Sequence, residues 1–306
     1  MDDQKLIQEA RESGEEVKEG LMWHTYTLDD VVVQIPREGD EWRLDRIRDI
    51  YDQLDSEVPK PNIRYIENEE DEGGVVFERV NGEMFRNFKQ RLEDQEDNSS
   101  SCRDLRENYL DAVENAGEAL ALIHSSEVIG EGFGYFNREE DGIKAPYDTW
   151  RGYVEEKVDE LQDVPEIFER AAQIGLENFD LEKVPEKPDR RILHEDFNSS
   201  NLMIEDDASI KVFDYDNAIY GDPNFGFINS MYKLCDFDDK DALERFREGY
   251  ISVRELDMSE GVEENYVALA VLKSVGAGKW VHENRDVEFL DSLADDVNSW
   301  AEEHFG

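Results

Sequence analysis

The sequence predicts an α+β chain in two parts, a small, mostly antiparallel sheet in front and a larger, mainly helical body behind, meeting near residue 80. Three observations carry this reading. Short β-branched or alternating runs occupy residues 23–35 and 63–80, as half-buried strands do. Val58-Pro59-Lys60-Pro61 interrupts them with a stretch that cannot be helical. From Asp104 onward, apolar residues recur at helical spacing over long segments.

Taken in order, residues 4–19 read as a leading helix through Leu6, Ile7 and Val17. Gly20 opens a strand region in which Trp23, Thr25 and Thr27 alternate, Asp29-Asp30 turns, and Val31–Ile35 runs extended to Pro36. Glu41–Leu54 is a helix with Trp42, Leu44, Ile47, Ile50, Tyr51 and Leu54 as its apolar stripe. Strands follow at Ile63–Ile66 and Val75–Val80, separated by the acidic turn Glu67–Gly74, and Asn81-Gly82 is a turn. Residues 1–80 are thus expected to form a front lobe and 81–306 a back lobe. In the back lobe, helices are expected at Asp104–His124, Trp150–Phe168, Glu169–Phe179, Asp238–Tyr250, Glu263–Trp280 and Val287–His304.

Composition bounds the function. The chain has 306 residues, enough for one large domain or two lobes, and 39% are hydrophobic, enough for a core. Its formal net charge of −45 disfavours nucleic acid and anionic lipid as partners. The acid is spread along the whole chain, which fits a salt-adapted cytoplasmic protein whose self-repulsion is screened. Two cysteines, Cys102 and Cys235, point to a reduced compartment. No signal peptide or membrane span is expected.

The chemistry concentrates in Ile192–Asp216. His194-Glu195-Asp196 and Asn201 form H-x-D-x4-N on a loop; an apolar hairpin follows, with Leu202–Ile204 folding back on Ile210–Phe213; then come Asp214 and Asp216. The catalytic candidates are Asp196 and His194. The Asp196 carboxylate can orient and deprotonate an acceptor hydroxyl, while His194 fits a loop-fixing hydrogen bond better than proton transfer. The hairpin brings Asn201 beside Asp214, an amide oxygen and a carboxylate suited to hold Mg²⁺ against a triphosphate. The scattered histidines form no zinc-ligand pair, Ser199-Ser200 lacks a nucleophile elbow, and Trp42, Trp150 and Trp280 read as core or lobe-packing residues.

These motifs, with Phe213-Asp214-Tyr215-Asp216-Asn217-Ala218 and Gly221-Asp222-Pro223, resemble the aminoglycoside phosphotransferase/choline kinase family, whose fold is bilobal and protein-kinase-like. The likeness extends to the P-x-P connection, to Phe77–Gly82 as the hinge, to Ala119–His124 and to Phe246-Arg247-Glu248-Gly249-Tyr250. It implies an ATP-dependent kinase for a hydroxyl of a small molecule such as an aminoglycoside, a sugar or an amino alcohol, acting as a monomer or homodimer. Asp196 would be the base and Asn201 and Asp214 the Mg²⁺ ligands, with Asp216 assisting. The backbone of Glu78–Val80 would bind adenine, Phe77 would line its pocket, and Gly20 would sit over the phosphates.

Two departures stand out. Gln34 occupies the place where the family carries Lys or Arg for the phosphates, with Arg37 a nearby substitute and Glu41 or Asp45 the candidate acids on the helix. Gly226 stands where many relatives carry an acid. Gln34 keeps a second reading open, a kinase-like nucleotide-binding protein with weak or no transfer. A protein kinase is disfavoured by Tyr-Asp after Asp214 and by the missing A-P-E.

Overall fold

Five antiparallel strands, β1 (Glu15–Val17), β2 (Trp23–Leu28), β3 (Val31–Pro36), β4 (Ile63–Glu67) and β5 (Gly74–Glu78), form one sheet in the order β1-β2-β3-β5-β4. The computed structural model describes residues 3–17, 22–68, 73–94, 100–140, 142–205, 208–236, 238–284 and 290–306. The sheet is covered on both faces. Helix α1 (Asp3–Ser13) buries Leu6, Ile7 and Ala10 against Val31, Val33, Ile35 and Val76. Helix α2 (Trp42–Tyr51) lays Leu44 and Ile47 against Trp23 and Val75 on the other face. The alternation along β3 is the pleat made visible, because successive side chains point to opposite faces.

The leading helix is shorter than the sequence predicts. It stops at Ser13, and Glu15–Val17 pairs instead with Thr25–Thr27. Val17, read as part of a helical stripe, is an exposed strand residue. Gly20 and the middle of the acidic turn lie outside the described residues.

The helical body contains β6 (Glu83–Met84), α3 (Phe85–Glu93), α4 (Ser100–Ser125), the hairpin β7 (Asn137–Glu139) and β8 (Gly142–Lys144), α5 (Trp150–Asp159), α6 (Glu169–Asn178), β9 (Arg191–Leu193), β10 (Leu202–Ile204), β11 (Ile210–Val212), β12 (Ile219–Gly221), α7 (Pro223–Leu234), α8 (Lys240–Val253), α9 (Glu260–Asn284) and α10 (Leu290–Phe305). Trp150–Phe168 is not one helix. It ends at Asp159 and passes through two 3-10 turns, since Pro165 cannot continue a helical ladder. Helix α7 was legible but read only as a motif: Asp222 accepts the Asn224 N–H at 2.9 Å and Pro223 takes the first helical position.

Helices α4 and α8 pack backbone to backbone. A Cβ on Gly117 would collide with the Phe246 carbonyl, and one on Gly249 with that of Glu114. The glycine of F-x-x-G-Y is thus a packing requirement. Among the described residues no helix is long and apolar enough to cross a membrane.

Candidate active site

Strand β9 pairs antiparallel with β12, Leu193 opposite Ile219, and delivers the chain to the loop at His194. A carbonyl only accepts, so the His194 Nε2–H donates to the Phe213 oxygen at 2.7 Å. Burial pushes the ring's pKa down to about 4, so the imidazole is neutral near pH 7. His194 therefore ties the catalytic loop to the end of the hairpin. Glu195 then takes φ 67°, and Asp196 donates its N–H to the His194 carbonyl at 2.8 Å. This left-handed residue turns the Asp196 side chain out of the core.

The Asp196 carboxylate is gripped on both oxygens. Oδ1 accepts from Asn198 Nδ2 at 2.7 Å and Oδ2 from Asn201 Nδ2 at 3.0 Å. Burial acts to raise its pKa, but Lys233, His194 and these two amides outweigh it and hold the group below the usual carboxylate range. The site thus contains an ionised, oriented carboxylate. Asn201 also donates to the Asp196 carbonyl at 2.9 Å. Its amide nitrogen is spent on Asp196, which leaves Oδ1 as acceptor.

The predicted hairpin forms. Leu202 faces Val212, Ile204 faces Ile210, and the Phe213 N–H donates to the Asn201 carbonyl at 3.0 Å. Asp214 follows at once in the left-handed region, φ 61° and ψ 59°. Its pKa is raised well above the ordinary value, first by burial and then by the carboxylates of Asp216 and Asp196. Asp214 under cover beside two other carboxylates is an unfavourable arrangement unless a cation joins it. The donors are all oxygen, the set a hard cation takes. Among the described residues no three His, Cys, Asp or Glu side chains close on one point. Asn201 and Asp214 would be the protein's share of such a site, with phosphates and water completing it. The arrangement fits Mg²⁺, which keeps several waters.

Sequence reasoning missed the brace behind this loop. Arg43 Nη1 binds Asp216 Oδ2 at 2.8 Å, and Trp23 Nε1 donates to the same oxygen at 3.1 Å. Arg46 donates from Nε to the Asp216 carbonyl at 2.7 Å and from its two terminal nitrogens to the carbonyls of Phe136 and Ala218. Both arginines are buried, whereas Trp42, expected in the helix's apolar stripe, is 47% exposed. Helix α2 turns its arginines inward because the acidic loop lies there. The only sequence signal was an Arg pair at i, i+3.

A cavity of about 1050 Å³ runs from Gln34, Thr25 and Arg43 past Asp196, Asn201 and Asp214 to a far wall made by α5 and α9. Gln34 lines the cavity, paired across the sheet with Thr25. Arg37 is not on the lining; Arg43 is. Neither candidate acid on the helix reaches the cleft: Glu41 accepts the Gly39 N–H at 3.1 Å, and Asp45 is held by Arg48 at 3.0 Å and Asn68 at 2.7 Å. Phe77, Glu78 and Val80 lie at the end of β5 and beyond, outside the cavity lining. The N–H groups of Glu78 and Arg79 are already donated to Asn62 and Asp30. Trp42, Trp150 and Trp280 all line the cavity, and only Trp150 is also fully buried, so the packing role expected of the other two is corrected to a cleft role. At Gly226 a Cβ would lie 2.8 Å from both the His124 ring and Leu193, so this chain has no room there for the relatives' acid.

Residues 19–261 match the profile of the phosphotransferase enzyme family. The chain belongs to that family. The crystal structure of aminoglycoside phosphotransferase APH(4)-Ia is similar with a TM-score of 0.65 at 18% identity, covering 97% of each chain. A thermostable mutant of that enzyme, in a ternary complex with AMP-PNP and hygromycin B, gives 0.64 at 16%, covering 94% of each. The gentamicin complex of APH(2")-IIa gives 0.57 at 15%, covering 97% of this chain and 96% of that one. Among curated proteins, none matches by sequence. At these identities the structural likeness establishes the fold, α+β with a small antiparallel sheet and a helical body, and the family match establishes a phosphotransferase.

Proposed function

We propose that this phosphotransferase transfers the γ-phosphoryl group of ATP to a hydroxyl of a small molecule, with Asp196 as base and Asn201 and Asp214 as Mg²⁺ ligands. The observation that carries the reading is the convergence of an ionised Asp196, the Asn201 amide and Asp214 on one end of a cavity large enough for two substrates. The acceptor hydroxyl lies against Asp196, which takes its proton as the oxygen bonds to the γ-phosphorus and ADP leaves. When bound, the cation neutralises charge on the phosphates. Arg43 adds a cation at the end where Gln34 offers only a neutral amide. We assign adenine to the Val80 backbone of the hinge, since the Glu78 and Arg79 N–H groups are taken by Asn62 and Asp30. His194 positions the loop. We read the two parts, 1–80 and 81–306, as the nucleotide lobe and the acceptor lobe, and the dispersed acidity as adaptation to a salty cytoplasm. Raising KCl from 0.2 to 2 M should raise the thermal unfolding midpoint; a midpoint that falls would remove the salt reading.

The test is ADP release over a panel of hydroxylated metabolites in concentrated KCl. Wild type should turn over at least one acceptor, and Asp196→Ala should lose that turnover. A nucleotide-binding protein without transfer is the second reading, favoured by Gln34 alone. It predicts that ATP binds and that no acceptor is phosphorylated.

A further inference from the structure

The acceptor end of the cleft is richer in lysine than the chain around it. The protein has 33 Lys and Arg against 78 Asp and Glu. Beyond the three carboxylates of the catalytic loop, the cavity is lined by four lysines, Lys157, Lys233, Lys273 and Lys279, and three glutamates, Glu160, Glu195 and Glu283. Two of those glutamates are already answered. Glu195 Oε2 lies 2.5 Å from Lys273 Nζ. Glu160 pairs through its carboxylate with Lys157 at 2.7 Å and through its carbonyl with Lys279 at 2.8 Å.

Lys233, by contrast, keeps unused donors. Lys233 Nζ donates to the backbone carbonyl of Glu195 at 3.1 Å, and among the described residues no carboxylate pairs with it. Lys273 lies within 5.4 Å of the Phe225 ring, and its Nζ is buried against the Glu195 carboxylate. Both ammonium groups stand beside the catalytic loop, one residue from Asp196. A polycationic amino sugar brought here would meet the Lys233 ammonium. A like charge within a cleft of low dielectric is a strong selector against a ligand.

We propose that the acceptor is anionic: it carries a carboxylate or phosphate group near its reacting hydroxyl, bound by Lys233 beside the Lys273–Glu195 pair, with an apolar body along Trp150, Phe225 and Trp280. The proposal rests on the phosphotransferase reading above and names its substrate class. Substrate charge is then read by Lys233, while Asp196 reads only the hydroxyl.

The probes are phenyl β-D-glucosides whose 6-position bears a carboxylate, a phosphate, a hydroxyl or an amine. Binding of each to the full chain is measured by calorimetry with Mg²⁺ and ADP present, at one fixed KCl concentration. The carboxylate or the phosphate should bind about tenfold tighter than the amine, and which of the two leads identifies the anion. Lys233→Gln should erase most of that preference and Lys233→Arg should keep it. Tighter binding of the amine, or no difference among the four, overturns the anionic-acceptor proposal. ADP release by Asp196→Ala equal to wild type overturns the transfer reading instead. The two failures therefore show up in different measurements.

Discussion

At one end of the cleft, three carboxylates, Asp196, Asp214 and Asp216, sit under two arginines from α2; at the other, four lysines stand between α5, α7 and α9 against three glutamates. The first end is tied up. Asp196 accepts on both oxygens, Arg43 and Trp23 share one oxygen of Asp216, and the Arg46 guanidinium makes three bonds to backbone carbonyls. The second end holds donors in reserve, as at Lys233. The difference teaches that a formal charge of −45 says little about any one site. Charge at the reaction end is set by what the metal and phosphates require, and charge at the far end by what the acceptor brings.

Asp196→Ala should break the reaction end most severely. Loss of the base and of its grip on Asn201 should cost about 10³-fold in kcat or more, with the circular dichroism spectrum unchanged. His194→Asn should do less, about tenfold, because an amide can still donate to the Phe213 carbonyl; a loss equal to that of Asp196→Ala would make His194 a proton carrier. Arg43→Gln comes next. Withdrawing a buried cation from Asp216 leaves that carboxylate unpaired and loosens the D-x-D loop, so the KM for ATP should rise by about tenfold or more. Gln34→Lys should be neutral or harmful in the same assay, since Arg43 already supplies the charge. If Gln34→Lys instead tightens ATP and speeds transfer, the arginine is only a brace and the glutamine is a lesion.

How much of this was legible in the chain follows from sequence distance. Asp196, Asn201 and Asp214 lie within nineteen residues of one another on a loop and a hairpin, so their convergence could be read from a register of two short strands. The Leu202–Val212 pairing and the Phe213–Asn201 hydrogen bond realise it. The brace was not legible, because Arg43 and Arg46 meet Asp216 across some 170 positions of chain. A helical wheel puts both on the solvent face and Trp42 in the core, and only the acidic loop beyond reverses that. The far wall was similarly hidden. Lys157, Lys233 and Lys273 sit on three different helices, and each looked like an ordinary solvated lysine in an acidic surface. The length of α1 failed for a local reason: residues 15–17 carry no strand signal of their own and are recruited by the exposed edge of β2.

The smallest effect separates the two ends most directly. Burial pulls the Lys273 pKa down to about 8, against the opposing pull of the Glu195 carboxylate, with Lys233 and Asp196 as the other charges facing it. As pH rises from 7 to 9 the ammonium is lost. Binding of the carboxylate probe should therefore weaken severalfold over that interval, while binding of the neutral glucoside should not move. Stability should respond with the opposite sign. The native pKa lies below the unfolded lysine value of about 10.4, so between the two the unfolded chain holds a proton that the native state does not. Where the unfolded state binds more protons, stability increases with pH. Lys273→Met should flatten both responses. Weaker anion binding together with a rising urea midpoint, each abolished by that one substitution, would tie the acceptor end to Lys273; a binding curve that stays flat from pH 7 to 9 would leave Lys233 as the only lysine reading the acceptor's charge.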